Sequence, residues 1–239
     1  TVKKTLLSEY ANINKSGLIA INLREEDELI GVRLTDGGND IVLVTRAGMS
    51  IRFHEQDVRN TGRNTQGVRG ILLDDEDQVI GMAPVEEGKN LLVVSERGFG
   101  KRTDMDDYRV QSRGGKGLKT YRTVEKTGQL VGIGLVDDDN DIILISDTGV
   151  IIRMWALEIP TLARITQGVT LMRTGEGKVV DIAVVEHETT DDTDAFEEAE
   201  AAAEGAAEAS PEDGEAGEAA QAEDGAEVGP ATSAEDDGD

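Results

Sequence analysis

IVLVTRAGMSIRF at residues 41–53, LLVVSERGFGKRT at 91–103 and IILISDTGVIIRM at 142–154 share one pattern. Each opens on an apolar run (Ile41 to Val44, Leu91 to Val94, Ile142 to Ile145) and reaches a glycine at Gly48, Gly98 or Gly149. A basic residue stands four positions later, at Arg52, Arg102 and Arg153. The runs are rich in Val, Ile and Leu, short, and bounded by Gly, Asp and Asn, so they read as strands.

Other landmarks keep the same period. Gly17, Gly67, Gly117 and Gly168 stand 50, 50 and 51 residues apart, and LIGVRL from Leu29 recurs as VIGMAPV from Val79, LVGIGLV from Leu130 and VVDIAVV from Val179. Independent landmarks on one period indicate an internal repeat. Four copies are visible: residues 1–48, 49–98, 99–149 and 150–187, the last ending before its counterpart of IVLVT. TDGGND (35–40), VEEGKN (85–90) and VDDDND (136–141) fill one turn between strands. About four strands per copy and a period near 50 predict an all-β propeller or pinwheel of four-stranded blades, since such a unit is too long for one coil of a β-helix. One four-stranded sheet cannot bury both faces alone, whereas stacked neighbours bury each other's.

Composition separates this region from residues 188–239. That segment holds 20 of the chain's 49 acidic side chains and no Lys or Arg, so residues 1–187 carry 29 acids and 24 bases, a net of −5 out of the total −25. It offers too little apolar surface to offset the entropy of ordering, and is predicted to be a disordered acidic tail. At roughly 40 Å end to end, it has the reach to compete with a polyanion for basic surface on the domain. No apolar run approaches the length of a membrane span. With no cysteine, disulfide and thiolate chemistry are excluded, in keeping with a reducing cytoplasm. The opening TVKKTLLSEY carries neither an initiator Met nor a signal pattern, and suggests a segment of a longer protein.

The loops hold the candidate chemistry. NKSGLIA at 14, NTQGVRG at 64, SRGGKGL at 112 and ITQGVTL at 165 recur at one blade position, and the third, Gln111, Ser112, Arg113, Gly114, Gly115, Lys116, Gly117, is the most basic. Adjacent glycines admit close backbone approach with N–H groups turned outward, and Arg and Lys neutralise phosphate. A Gly-rich basic turn is ordinarily a solvated hairpin; recurrence argues for more. From Arg97 to Lys126 there are nine basic and four acidic residues, a local +5 that includes Lys101, Arg102, Lys119 and Arg122. Arg59, Arg63 and Arg69 form a second group with no acid between them. Repeated per blade, these predict a basic stripe along one edge of the propeller.

Catalytic and metal patterns are weak. His54 and His187 are far apart, Asp74 to Asp77 and Asp137 to Asp139 lack EF-hand spacing, and no Walker A, GxSxG or triad grouping occurs. Trp155 is expected to pack between blades.

TVKKTLLSEY, DELIGVRLT, NTQGVRGILL, GFGKRTDMDDY and ITQGVTLMRT closely resemble the C-terminal domain of the DNA gyrase A subunit, over residues 1 to about 187. QSRGGKG is similar to that family's box, Gln-[Lys/Arg]-Arg-Gly-Gly-[Lys/Arg]-Gly, at six of seven positions, Ser112 replacing a basic residue. The resemblance implies a six-bladed pinwheel whose rim wraps double-stranded DNA and so supports ATP-driven negative supercoiling. It implies that the principal box lies upstream, leaving Gln111 to Gly117 a secondary contact. The catalytic tyrosine would lie in another domain, so Tyr10, Tyr108 and Tyr121 are not assigned that role. ATP and Mg would be used by the parent enzyme elsewhere, with no cofactor in this chain. Partners implied are the gyrase B subunit, plus a second A subunit, in the bacterial cytoplasm on the nucleoid. The related domain of topoisomerase IV and a protein-binding scaffold are the alternatives; the box-like loop favours gyrase, and an apolar patch would favour a scaffold.

Overall fold

The computed structural model describes residues 1–187. The predicted acidic tail, 188–239, lies outside them. The three opening stretches fold as antiparallel hairpins: β1 (Asp40–Thr45) with β2 (Met49–His54), β4 (Asn90–Ser95) with β5 (Phe99–Asp104), and β8 (Asn140–Ser146) with β9 (Ile151–Trp155). Longer strands β3 (Val79–Pro84), β7 (Leu130–Val136) and β11 (Val179–Glu186) form from the second landmark, and short strands β6 (Leu118–Lys119) and β10 (Val169–Thr170) from the loop landmark.

The sheets run β3-β1-β2-β6, β10-β5-β4-β7 and β11-β8-β9. All-β blades are therefore present, but the contiguous boundaries expected at 48/49, 98/99 and 149/150 do not delimit them. The first two hairpins take their flanking strands from the chain around the next hairpin: β3 and β6 bracket β4 and β5 in sequence, yet pair with β1 and β2, as Val42↔Ala83 and Ser50↔Leu118. The repeat period survives this exchange because β3 and β6, and then β7 and β10, are donated from matching positions of the repeat. Its boundaries do not.

The central strands explain why the decisive runs are apolar throughout rather than alternating. β1 and β4 are covered on both faces, as a buried strand requires. Val42 and Val44 join Leu91 and Val93 between the first and second sheets, with Tyr108, Tyr121 and Leu130. Leu92 and Val94 face the other way and meet Ile142, Leu144 and Val179 of the third. Ile41 and Leu43 pack with Ile51, Phe53, Val58 and Ile71 on the far side of the first sheet, against Val2 and Val68.

The first copy is incomplete. Val2 pairs with Val68 and Lys4 with Asn60, the places taken by β2 against β6 and by Arg52 against Val110 in the next copy. Leu29, Ile30, Val32 and Leu34, the counterpart of β3, are exposed and belong to no strand among the described residues.

The periodic basic residue proves to be a joint between neighbouring repeats. A one-turn 3-10 helix succeeds each second strand, at Glu55–Asp57, Met105–Asp107 and Ala156–Glu158. Lys4 Nζ donates to Glu55 O at 2.9 Å, Arg52 Nη1 to Met105 O at 2.8 Å, and Arg102 Nε to Ile159 O at 2.7 Å. Lys4 and Arg52 therefore reach the helix of the following copy, and Arg102 the residue that caps it. Arg52 also pairs with Asp40 on its own hairpin (2.8 Å) and Arg153 with Asp141 (2.6 Å). The second hairpin has Asn90 at that position, and Arg102 turns instead to Asp138 of the next turn, at 2.5 Å.

Candidate nucleic-acid interface

Between the 3-10 helices and the short outer strands run three equivalent loops, residues 58–67, 108–117 and 159–168. Each is joined to the chain leaving the preceding outer strand. Asn22 N–H donates to Thr65 O at 3.2 Å; Gly114 N–H donates to Gly70 O at 2.6 Å and Leu72 N–H to Gly115 O at 2.9 Å; Arg122 N–H donates to Thr166 O at 3.1 Å. The loops thus succeed one another as a continuous arc, and most of the sequence-predicted bases fall on it.

Arg59, Arg69, Lys116, Lys119 and Arg122 are exposed, and Arg63 and Arg113 half-buried. Arg113 bridges two loops, its Nε donating to Asp57 O at 2.8 Å and its Nη1 to Arg69 O at 2.9 Å. Lys116 pairs with Asp74 at 2.8 Å, and that hydrogen bond raises its pKa. Both partners are well exposed, so the pair contributes little to stability and Lys116 can exchange Asp74 for a phosphate at small loss. Arg164, which the sequence reading did not single out, belongs to the same arc: its Nη1 donates to Lys119 O at 3.4 Å. The signal was available, because Arg63, Arg113 and Arg164 are spaced 50 and 51 apart.

Two expected contacts are corrected. Lys101 is 0% exposed and Arg102 5%, so neither can meet a phosphate. Both lie on β5 pointing toward the following repeat, where Lys101 Nζ donates to Ala163 O and Arg164 O at 2.6 and 2.5 Å. The glycines of the box-like loop are also used differently from the expectation of outward N–H groups. Gly114 spends its N–H on Gly70. Gly117, at φ +76°, lies so close to Ser50 O that a Cβ would stand 2.1 Å from it, and Gly67 and Gly168 repeat the contact against Val2 O and Gly100 O. The recurring glycine is the crossing point of an outer strand over the preceding hairpin. Gln111 is half-buried, its N–H donating to Arg52 O at 2.8 Å, and its buried side-chain nitrogen has no partner among the described residues.

Trp155 stacks on His187 with ring centroids 4.6 Å apart, and His187 Nδ1 lies 2.7 Å from Asp141 Oδ1. The tryptophan therefore pins the end of β11 to the third hairpin. Among the described residues no three His, Cys, Asp or Glu side chains gather in a form that could hold a metal ion.

The family model described as DNA gyrase C-terminal domain, beta-propeller matches residues 1–36, 39–86, 89–137 and 140–186. The chain belongs to this family. The four matched segments break at the acidic turns that precede each hairpin, which is the sequence period cut at another point. The DNA gyrase A subunit of Clostridium acetobutylicum is 52% identical over 200 residues, 83% of this chain and 24% of that protein. Its counterpart in Halalkalibacterium halodurans is 56% identical over 199 residues, 82% of this chain and 24% of that protein. The chain thus spans about a quarter of the length of these curated relatives. Among solved structures it resembles the C-terminal domain of DNA topoisomerase IV, with TM-score 0.74 and 26% identity over 83% of this chain and 63% of that one. It also resembles a DNA gyrase A C-terminal domain, with TM-score 0.67 and 28% identity over 71% and 58%. The gyrase-family domain therefore has the pinwheel's strands and, on its loops, an arc of arginines and lysines.

Proposed function

We propose that the chain is the DNA-wrapping part of a gyrase A subunit, in which double-stranded DNA runs along the arc marked by Arg59, Arg63, Arg69, Arg113, Lys116, Lys119, Arg122 and Arg164. The observation that carries this reading is the hydrogen-bonded succession of the three loops, which turns bases scattered over more than a hundred residues into one track. Wrapping needs no base readout: phosphate neutralisation binds the duplex, and the longer stretch of DNA held along the arc offsets the cost of bending it. Gln111 to Gly117 serves as a secondary contact, with Arg113 and Lys116 as its charges. Strand cleavage, ATP hydrolysis and the Mg they require belong to the parent enzyme's other domains and to the gyrase B subunit. The whole enzyme works with a second A subunit in the bacterial cytoplasm. No helix among the described residues is long and apolar enough to cross a membrane. The acidic segment 188–239 competes with DNA for the arc. Identity above half to gyrase A subunits favours gyrase over topoisomerase IV.

The test is a salt series of duplex binding by the chain and by Arg113→Ala/Lys116→Ala. Each phosphate left without its cation lowers the slope of log K against log salt by about 0.9, so the double variant is expected to lose between one and two such steps. An unchanged slope removes this loop from the DNA path.

A further inference from the structure

Lys101 spends a buried charge without a carboxylate to pair it. Its ammonium forms no salt bridge within the described residues and instead donates to two main-chain oxygens, Ala163 O and Arg164 O, while Thr103 Oγ1 on the same strand face donates to Leu162 O at 2.9 Å. Burying an ammonium is expensive unless it is fully hydrogen-bonded. The sheet does not need it: the same position holds Ile51 in β2, packed in the apolar cluster of the first sheet.

The arrangement is nevertheless repeated. Lys3 occupies the equivalent place one copy earlier and donates to Ala20 O at 2.5 Å and to Arg63 O. Arg63 and Arg164 are equivalent arginines of the rim loops, so both lysines hold the main chain of the same residue. Where the position is Ile51, the equivalent Arg113 has no such clamp and fastens itself through its own guanidinium to Asp57 O and Arg69 O. Two of the three loops thus fix their arginine from below, with a single side-chain tie each, to Ile19 O and Lys119 O. The third loop fixes its arginine by its charged end.

We infer that Lys101 is a positioning residue for the DNA-binding arc: its buried ammonium clamps Ala163 and Arg164 so that the Arg164 guanidinium stands beside Lys119, turned to the DNA. The inference rests on the DNA-binding reading of that arc. Burial brings the Lys101 ammonium down to about 8, with Asp107 opposing and Arg164 reinforcing the shift. Lys3 is lowered in the same direction, by burial first and then by Arg63. The other titratable group nearby is the Tyr108 phenol, which burial pushes up and keeps neutral. A deprotonated Lys101 loses the charge-assisted part of both bonds, so the clamp loosens as pH rises through about 8.

The experiment measures binding of a linear DNA duplex by the full chain at low salt, at about pH 7 and about pH 9, for wild type, Lys101→Met, Arg164→Ala and the double variant. Each single variant is expected to weaken binding about tenfold at the lower pH, the low end of the scale of one charge-assisted hydrogen bond. The double variant should lose no more than the weaker-binding single. Wild type should lose a similar factor on going to the higher pH, and Lys101→Met should not. If Arg164→Ala binds like wild type, the arc reading falls and the inference with it. If Arg164→Ala weakens binding but Lys101→Met does not, or the two losses multiply, or Lys101→Met keeps the pH dependence, only the inference is overturned. Should Lys101→Met fail to fold, Lys101→Ile, which copies the Ile51 arrangement, takes its place; failure of both to fold would make Lys101 a structural residue and also overturn the inference.

Discussion

Gly117→Ala and Gly17→Ala make a matched pair, because they change equivalent glycines at nearly the same backbone angle, φ +76° and +78°. Placing an L-residue there costs about 1 kcal/mol in either case. The surroundings differ. At Gly17 an added Cβ meets nothing within 4 Å, whereas at Gly117 it would lie 2.1 Å from Ser50 O and 3.3 Å from Ile51 Cβ. Ser50 is a fully packed residue of β2, so the outer strand has to retreat by more than about 1 Å, roughly the difference from an ordinary contact. That separates β6 from β2, whose pairing consists only of Met49↔Lys119 and Ser50↔Leu118. Two backbone hydrogen bonds at about 1 kcal/mol each, added to the dihedral cost, give about 3 kcal/mol for Gly117→Ala against about 1 kcal/mol for Gly17→Ala. Urea unfolding monitored by circular dichroism measures both. A difference below about 0.5 kcal/mol, the usual error of independent sites, would refute the crossing-point explanation of the repeat. Because Lys119 is the last residue of β6, Gly117→Ala should also weaken DNA binding while the protein is still folded.

Two further outcomes follow from the charge layout. Asp141 accepts from His187 and Arg153, and these bonds, His187 first, hold its carboxyl below the usual 3.8. Its stabilisation is therefore complete above that value and lost as pH falls through the lower folded one; Asp141→Asn should be less stable at neutral pH and should lack this component of acid sensitivity, read from urea midpoints at descending pH. Removing residues 188–239 should tighten duplex binding at low salt, because 20 tethered carboxylates compete at an effective concentration on the order of millimolar. The gap should close as salt rises, and equal affinities at low salt would end that reading.

Strand identity was legible because buried central strands announce themselves as unbroken runs such as Ile41 to Val44, and the period was legible because glycine is required wherever an outer strand crosses a carbonyl. Strand partnership was not. Hydrophobic pattern reports that a strand is covered on both faces but not which copy covers it, so β3 and β6 were read as belonging with their sequence neighbours when they pair with the previous hairpin. The site suffered from the same gap. Lys101, Arg102, Lys119 and Arg122 are indistinguishable as members of one basic stretch, and only the direction of β5 sends the first two inward. Arg164 was missed because its neighbours are not basic; the period of Arg63 and Arg113, rather than local charge density, was the informative signal.

Interleaving also explains why so many bases are structural. A repeat that lent no strands to its neighbour would meet it only through apolar faces, and could slide along them. Here the first two hairpins each carry two strand pairings from the following copy, and a cation reaches the next 3-10 helix or its C-cap: Lys4 to Glu55, Arg52 to Met105, Arg102 to Ile159. Glu55 O and Met105 O also accept the N–H of Val58 and Tyr108, so the cation adds a second hydrogen bond to each carbonyl and in doing so fixes the angle between successive blades. The angle sets the curvature of the loop arc, and a duplex that lies on the arc must adopt that curvature. The half-buried Arg52, the buried Arg102 and the exposed Lys119 and Arg122 thus serve one geometry from two sides: the first pair holds the bend in the protein, and the second transfers it to DNA.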